Sequence, residues 1–387
     1  MNPREFLDQF SQPVYLTGIS AIDHFNHHFR RSISVIYLAY QGSLAQLARD
    51  VDSLEFPGIP GADALIPPSP ESNSPWGEKT LVVEILDGDP PGSHFHELIL
   101  QPLRLMYDFQ TRSYLNRDQA YPALVSRRMV GPRGWLPTSF GPDTALDAAV
   151  YAARFPLEED QDSLLRNLAP KDPSFWPHGN PSQIRLSLSL ILTGHWASRG
   201  LRLLHTWGFF DAYWPFLSAM DRTSHSKECH PEGNVWEHTL ACLDARKSLD
   251  LDLAFSLFLH DSGKPLAVRN RNRIFDGHAE IGAGLARDFL KDLEFPTTFV
   301  DQVSWLVESH MIPAALGILP RYRTEPYLSK PWFGTLLDLY RCDLASSWRD
   351  LGDYHHACAL YKHHQRYAKN PFKNLSKNRY PALNPRT

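Results

Sequence analysis

The sequence predicts an α+β protein in which an N-terminal α/β domain is followed by an all-helical linker region and a helical C-terminal domain. Two observations carry this. Short β-branched and aromatic runs occur only in the first 125 residues, and from about Asp143 onward apolar residues recur three and four apart while strand signals disappear. At 387 residues the chain exceeds the size at which one core usually keeps growing, so several domains are expected. The expected boundaries are 1–140, 141–224 and 225–350, with a basic tail over 351–387.

Residues 14–18, 33–39 and 80–86 read as strands. Between the second and third lies a stretch with Pro57, Pro60, Pro67, Pro68, Pro70 and Pro75 as well as Gly58 and Gly61, which reads as a long loop. Residues 182–220, with Ile184, Leu188, Ile191, Leu201 and Leu204 at helical spacing, read as packed helices. Further helices are expected at 235–249, 251–260, 278–293, 298–309 and 332–349. Asn234 to Glu237 has the form of a capping box, and Gly263 with Pro265 ends the helix before it.

With 43% hydrophobic and 21% charged residues, the composition is that of a globular protein. No run of 18 apolar residues is present and the N-terminus lacks an apolar stretch, so neither a membrane span nor a secretory signal is expected, and the cytoplasm is the default compartment. Cys229, Cys242, Cys342 and Cys358 have no CxxC spacing and are expected to be free, structural thiols. The net charge of -4 hides a tail of +7: no acid follows Asp353, while Lys362, Arg366, Lys369, Lys373, Lys377, Arg379 and Arg386 do. Interleaved with Tyr361, Tyr367, Phe372 and Tyr380, these could follow a nucleic-acid backbone. The simpler reading is a solvated, poorly ordered terminus. His24, His27, His28, His94 and His96 are expected to be exposed side chains.

His238, His260, Asp261, His278, His310 and Asp343 stand at helix ends in the C-terminal half. Residues 253–259 are apolar almost all round, so their helix is buried and delivers His260 and Asp261 at its end. A carboxylate buried there without a partner would cost several kcal/mol, and a divalent cation is its natural partner.

The order His, His-Asp, His, His, Asp, with separations of 22, 17, 32 and 33 residues, resembles the HD superfamily of metal-dependent phosphohydrolases. The local contexts Phe-Leu-His260-Asp261-Ser-Gly-Lys264 and Phe275-Asp-Gly-His278-Ala-Glu agree with it. The resemblance implies that His238, His260, Asp261 and Asp343 bind one metal, while His278 and His310 complete a second site or contact a substrate phosphate. Asp261, Lys264, His278 and His310 are the implied catalytic residues, Lys264 as a phosphate contact. No residue of this set is a cysteine, which favours Mn, Fe, Ni, Co or Mg, as one or two ions, over structural zinc.

The resemblance extends upstream. Residues 187–220, including Gly200-Leu-Arg-Leu-Leu-His-Thr-Trp-Gly208, are similar to the region preceding the HD domain in bacterial tRNA nucleotidyltransferases and poly(A) polymerases, and Tyr151-Ala-Ala-Arg154-Phe155 to the helix after their catalytic head. Gly18 to Asp23 stands where that family has Gly-Gly-x-x-Arg-Asp, and Ser32 and Ser34 stand where it has two carboxylates. Nucleotidyl transfer needs those carboxylates to hold two metal ions, and serine hydroxyls do not balance that charge. Residues 1–140 are therefore expected to be a nucleotidyltransferase-like domain without transferase activity. The function expected is a phosphodiesterase or phosphatase acting on nucleotides or RNA ends, with tRNA or RNA met through the basic tail. Its rival is an RNA-binding or regulatory protein whose metal site is structural.

Overall fold

The computed structural model describes residues 10–26, 35–56, 58, 62–67, 79–87, 103, 105–116, 120–128, 141–167, 172–176, 179–224, 233–270, 273–347 and 350–368. Ser32, Ser34, His27, His28, His94, His96, Cys229 and the tail beyond residue 368 lie outside the described residues. The fold is α+β and divides into two compact units. One comprises Met1–Ser218, Leu249–Ala254 and Leu290–Phe295, and the other Ala219–Ser248, Phe255–Phe289 and Pro296–Thr387.

The first unit contains a six-stranded sheet of order β3-β4-β2-β1-β5-β6. Its strands are β1 (Val14–Leu16), β2 (Val35–Tyr40), β3 (Ala64–Ile66), β4 (Thr80–Ile85), β5 (Leu105–Asp108) and β6 (Ser113–Asn116). β2 and β4 are parallel, and the other neighbours are antiparallel. The three strands legible in the sequence, β1, β2 and β4, are adjacent at the centre of the sheet, where burial demands continuous apolar runs. The three missed, β3, β5 and β6, lie outside them and have only three or four residues each. Helix α1 (Gly18–Phe25) buries Ile19, Ala21 and Ile22 and packs on β2 and β5. His24 is not simply exposed: its Nδ1 lies 2.7 Å from the Tyr114 hydroxyl.

Helices α2 (Pro142–Arg154), α3 (Pro181–Leu192) and α4 (Ala197–Thr206) follow the sheet in this unit. α2 packs on both others, and nearly every residue from Thr144 to Arg154 is buried. A Cβ at Gly200 would meet the Ala149 carbonyl oxygen at 2.6 Å, so the α2–α4 crossing needs glycine there. At the end of α2, Arg154 is 4% exposed and donates to both carboxylate oxygens of Asp23, at 3.2 and 2.6 Å. The same guanidinium donates to Leu190 O at 2.9 Å and to Thr193 Oγ1 at 3.2 Å. A buried charge satisfied on every side ties α1, α2 and α3 into one body, and removing one partner of such a pair typically costs about 3–5 kcal/mol.

Among the described residues, the second unit is helical apart from a small hairpin of β7 (Val268–Asn270) and β8 (Arg273–Asp276) and one bridge between Ser224 and Asn234. Helices α5 (Val235–Asp244), α6 (Leu251–Leu259), α7 (His278–Asp292), α8 (Thr297–Ser309) and α9 (Phe333–Ser346) fall close to the expected ranges. Asn234 caps α5, its side chain accepting from the Glu237 N–H at 2.8 Å. The start of the basic tail is not an irregular terminus. Residues Gly352–Ala368 form helix α10, which packs on α9 and buries Ala357 and Leu360. Among the described residues, no helix is long and apolar enough to cross a membrane.

Candidate metal centre

The six predicted residues converge, and local sequence explains how. α6 is buried from Leu253 onward and passes directly into His260, Asp261 and Ser262, which are 1%, 1% and 0% exposed. The chain then turns at Gly263, where a Cβ would collide with the His278 carbonyl oxygen and lie 2.6 Å from Gly282 N. Only glycine allows the turn to rest on α7, and that contact brings the first residue of α7, His278, to the dyad. Phe275 adopts φ +64°, strained for a bulky residue, and its carbonyl oxygen then accepts from His278 Nδ1 at 2.8 Å.

Asp261 lies between two groups of donors. Its Oδ2 is 3.7 Å from His238 Nε2 and 3.4 Å from His260 Nε2, and its Oδ1 is 3.7 Å from His278 Nε2 and 3.9 Å from His310 Nε2. His238 Nε2 is also 3.1 Å from Asp343 Oδ1, which α9 supplies. Lys264 donates to Asp261 Oδ2 at 2.6 Å, with its ammonium 5.5 Å from the Phe275 ring centre, so it is engaged rather than freely solvated.

The ring nitrogens are fixed by the backbone. His260, His278 and His310 each place Nδ1 on the carbonyl oxygen three residues earlier, Leu257, Phe275 and Val307, at 2.8, 2.8 and 2.7 Å. A carbonyl only accepts, so Nδ1 carries the hydrogen and a neutral ring presents a bare Nε2 to the centre. The Nε2 atoms of His278 and His310 are 3.1 Å apart, and two lone pairs so placed repel unless a proton or cation joins them. His260 Nε2 is buried with no hydrogen-bond partner. Converging bare nitrogens, an orphaned buried one and two carboxylates fit a divalent cation.

The electrostatics agree. Burial would depress His260, but the Asp261 carboxylate and the Cys242 thiol raise it to about 9. Burial and the neighbouring His260 push His310 down to about 4, and burial lowers His278. Burial opposes ionisation of Asp261 as well, yet His260, Lys264 and His238 hold it well below the usual carboxylate range. Asp343 is likewise held low by its hydrogen bond to His238.

Two residues that sequence reasoning missed belong to this centre. Cys242, one turn after His238 on α5, has Sγ 3.5 Å from His238 Nε2 and donates to Ser346 Oγ at 3.2 Å. Ser346 also lies 3.3 Å from His238 Nδ1 and donates to the Asp343 carbonyl oxygen at 2.8 Å. His238, Cys242, His260 and Asp343 thus form one group able to hold an ion, and Asp261, His278 and His310 form another. The sequence reading expected no cysteine in the set, whereas one of these two groups includes Cys242. The i,i+4 spacing from His238 was the available signal, and a buried thiol is ordinarily core packing.

Residues 235–329 match the HD domain family. Part of the chain is 34% identical over 145 residues to the CC-adding tRNA nucleotidyltransferase of Thermus thermophilus, covering 35% of this chain and 33% of that protein. It is also 29% identical over 164 residues to the multifunctional CCA protein of Halorhodospira halophila, covering 41% of this chain and 36% of that protein. The chain therefore spans about a third of the length of the curated relatives it matches. Among solved structures, the Bacillus stearothermophilus CCA-adding enzyme in complex with CTP superposes with a TM-score of 0.50 at 16% identity, over 96% of this chain and 82% of that one. The chain thus carries an HD domain at 235–329 and is similar in fold, along its length, to the CCA-adding tRNA nucleotidyltransferases.

Proposed function

We propose that the protein is a metal-dependent phosphohydrolase, a phosphodiesterase or phosphatase acting on nucleotides or RNA ends. In this reading residues 225–350 supply the chemistry, 141–224 connect, and 1–140 are a nucleotidyltransferase-like domain that does not transfer nucleotides. The observation that carries the reading is the placement of Asp261, one carboxylate facing His238 and His260 with Oδ2 and the His278–His310 pair with Oδ1.

His238, His260, Asp261 and Asp343 would hold a divalent ion, with His278 and His310 as ligands of a second ion or as contacts to the phosphate. A divalent ion bound in such a site makes hydroxide available near neutral pH and draws off charge that develops on a phosphoryl group. Asp261, which its cationic neighbours hold well below the usual carboxylate range, would serve as a ligand and position a water, while Lys264 beside it can meet a phosphate oxygen. The neutral imidazoles of His278 and His310 can orient the phosphate or accept its proton. RNA or nucleotide as the substrate class is supported by the relatives named as tRNA nucleotidyltransferases and by the CTP held by the B. stearothermophilus enzyme.

The silent N-terminal domain is supported by two features. Asp23 has both oxygens engaged by Arg154, and serines occupy positions 32 and 34. The test is metal analysis of the purified protein with a phosphatase and 2′,3′-cyclic phosphodiesterase panel under added Mn, Ni, Co and Mg. Hydrolysis that follows metal loading is the expected result, and a metal-replete protein inactive on every phosphoester would overturn the proposal.

A further inference from the structure

We propose that Cys242 is a metal ligand, so that the ion beside α5 is held by a sulfur-containing set of His238, Cys242, His260 and Asp343 and the site selects Zn, Co(II) or Fe(II) over Mg and Mn. The inference rests on the metal-dependent reading above and narrows it to the kind of ion.

Geometry carries it. One donor atom from each of these four residues lies within 4.8 Å of the others. Two ligands of one zinc, a nitrogen at about 2.0–2.1 Å and a sulfur at about 2.3 Å, stand about 3.6 Å apart across a tetrahedral angle. Cys242 Sγ is 3.5 Å from His238 Nε2. The arrangement follows from helix periodicity, since residues four apart share a face and His238 and Cys242 turn toward the same point. Ser346 connects them from behind, touching Sγ at 3.2 Å and His238 Nδ1 at 3.3 Å, as an outer group that orients two ligands of one centre does.

Charge completes the argument. A thiolate and one carboxylate neutralise a divalent ion, which a site this buried requires. Cys242 itself is 0% exposed. Cys342 provides an internal contrast. It is equally buried, yet its sulfur accepts from the Arg341 guanidinium at 3.2 Å. On binding, the Cys242 S–H bond breaks, its proton leaves to solvent and the sulfur lone pair forms the metal bond, with no change of oxidation state. Thiolate ligands favour Zn, Co(II) and Fe(II), whereas Mg and Mn favour oxygen donors.

The test is cobalt substitution of the full chain. Wild-type protein should show a thiolate-to-cobalt charge-transfer band in the near ultraviolet alongside the visible ligand-field bands. Cys242→Ser should lose the former and keep the latter, and Cys342→Ser should keep both. Zinc affinity of the Cys242→Ser protein should fall by at least the roughly 10–100-fold that an outer-shell change costs, while Mn affinity changes little. Should the serine variant misfold, X-ray absorption of the wild-type zinc protein decides, with a sulfur scatterer at about 2.3 Å expected. Bound metal with only nitrogen and oxygen neighbours would overturn the sulfur assignment and leave the phosphohydrolase reading standing. A wild-type protein that binds no ion would overturn both.

Discussion

A buried imidazole has two nitrogens, and in this protein the backbone fixes which one is available. His260, His278 and His310 each donate Nδ1–H to a carbonyl of their own helix or turn, so their Nε2 atoms are aimed before any ion arrives. Substituting His260→Ala or Asp261→Ala should therefore abolish both metal content and hydrolysis, as metal analysis beside a phosphoesterase assay would read; unchanged metal content would remove the ligand assignment. A second residue-scale prediction concerns Asp147 on α2, whose carboxyl burial and the nearby Asp143 raise to about 7. A carboxyl raised on folding contributes stability that is complete below about pH 4 and is lost as pH rises through about 7. Asp147→Asn should thus gain melting temperature over the wild type with rising pH. The slope is at most about 1.4 kcal/mol per pH unit, less because the half-buried group is partly screened. A difference constant between pH 4.5 and 8 would argue against it. The histidines and aspartates of the centre were legible in the sequence because their order is distinctive. Cys242 was not, since a cysteine on an apolar helix face has the same appearance whether it packs or ligates.

At the scale of elements, the legible parts were those whose burial writes a pattern. α6 is apolar almost throughout, and β2 is a continuous apolar run. α10 was obscured by its charge: the stripe of Tyr354, Ala357, Cys358 and Tyr361 is helical in spacing, yet the surrounding lysines and histidines suggest a solvated tail. The turn between α6 and α7 offers the sharpest test of how elements position the site. Gly263→Ala would push a methyl group into the α7 backbone, an overpacking that typically costs about 1–3 kcal/mol. His278 should shift away from Asp261 while His238, Cys242, His260 and Asp343 keep their places. Turnover is expected to fall at least about tenfold, equivalent to about 1.4 kcal/mol in the barrier, with metal content retained. Full activity, or loss of all metal, would show that the glycine contact does not do this.

At the scale of the whole molecule, the two units differ in what their buried charges do. In the first, Asp23 is held in a buried ion pair with Arg154, and serines stand at positions 32 and 34. The chain should not incorporate CTP or ATP onto tRNA lacking its 3′ end, as a labelled-nucleotide assay would read, and measurable incorporation would refute this. The order of the site residues along the chain also bears on how the centre assembles. Asp261 and His278 are 17 residues apart, whereas His238 and Asp343 are separated by 105. Closing the longer loop costs about 1–2 kcal/mol more in chain entropy. A nascent chain that has reached His310 already holds Asp261, His278 and His310, but the set around His238 stays open until Asp343 has been synthesised and α9 has folded against α5. Synthesis from the N-terminus would therefore make capture of an ion at that set a late event, one that waits for α9.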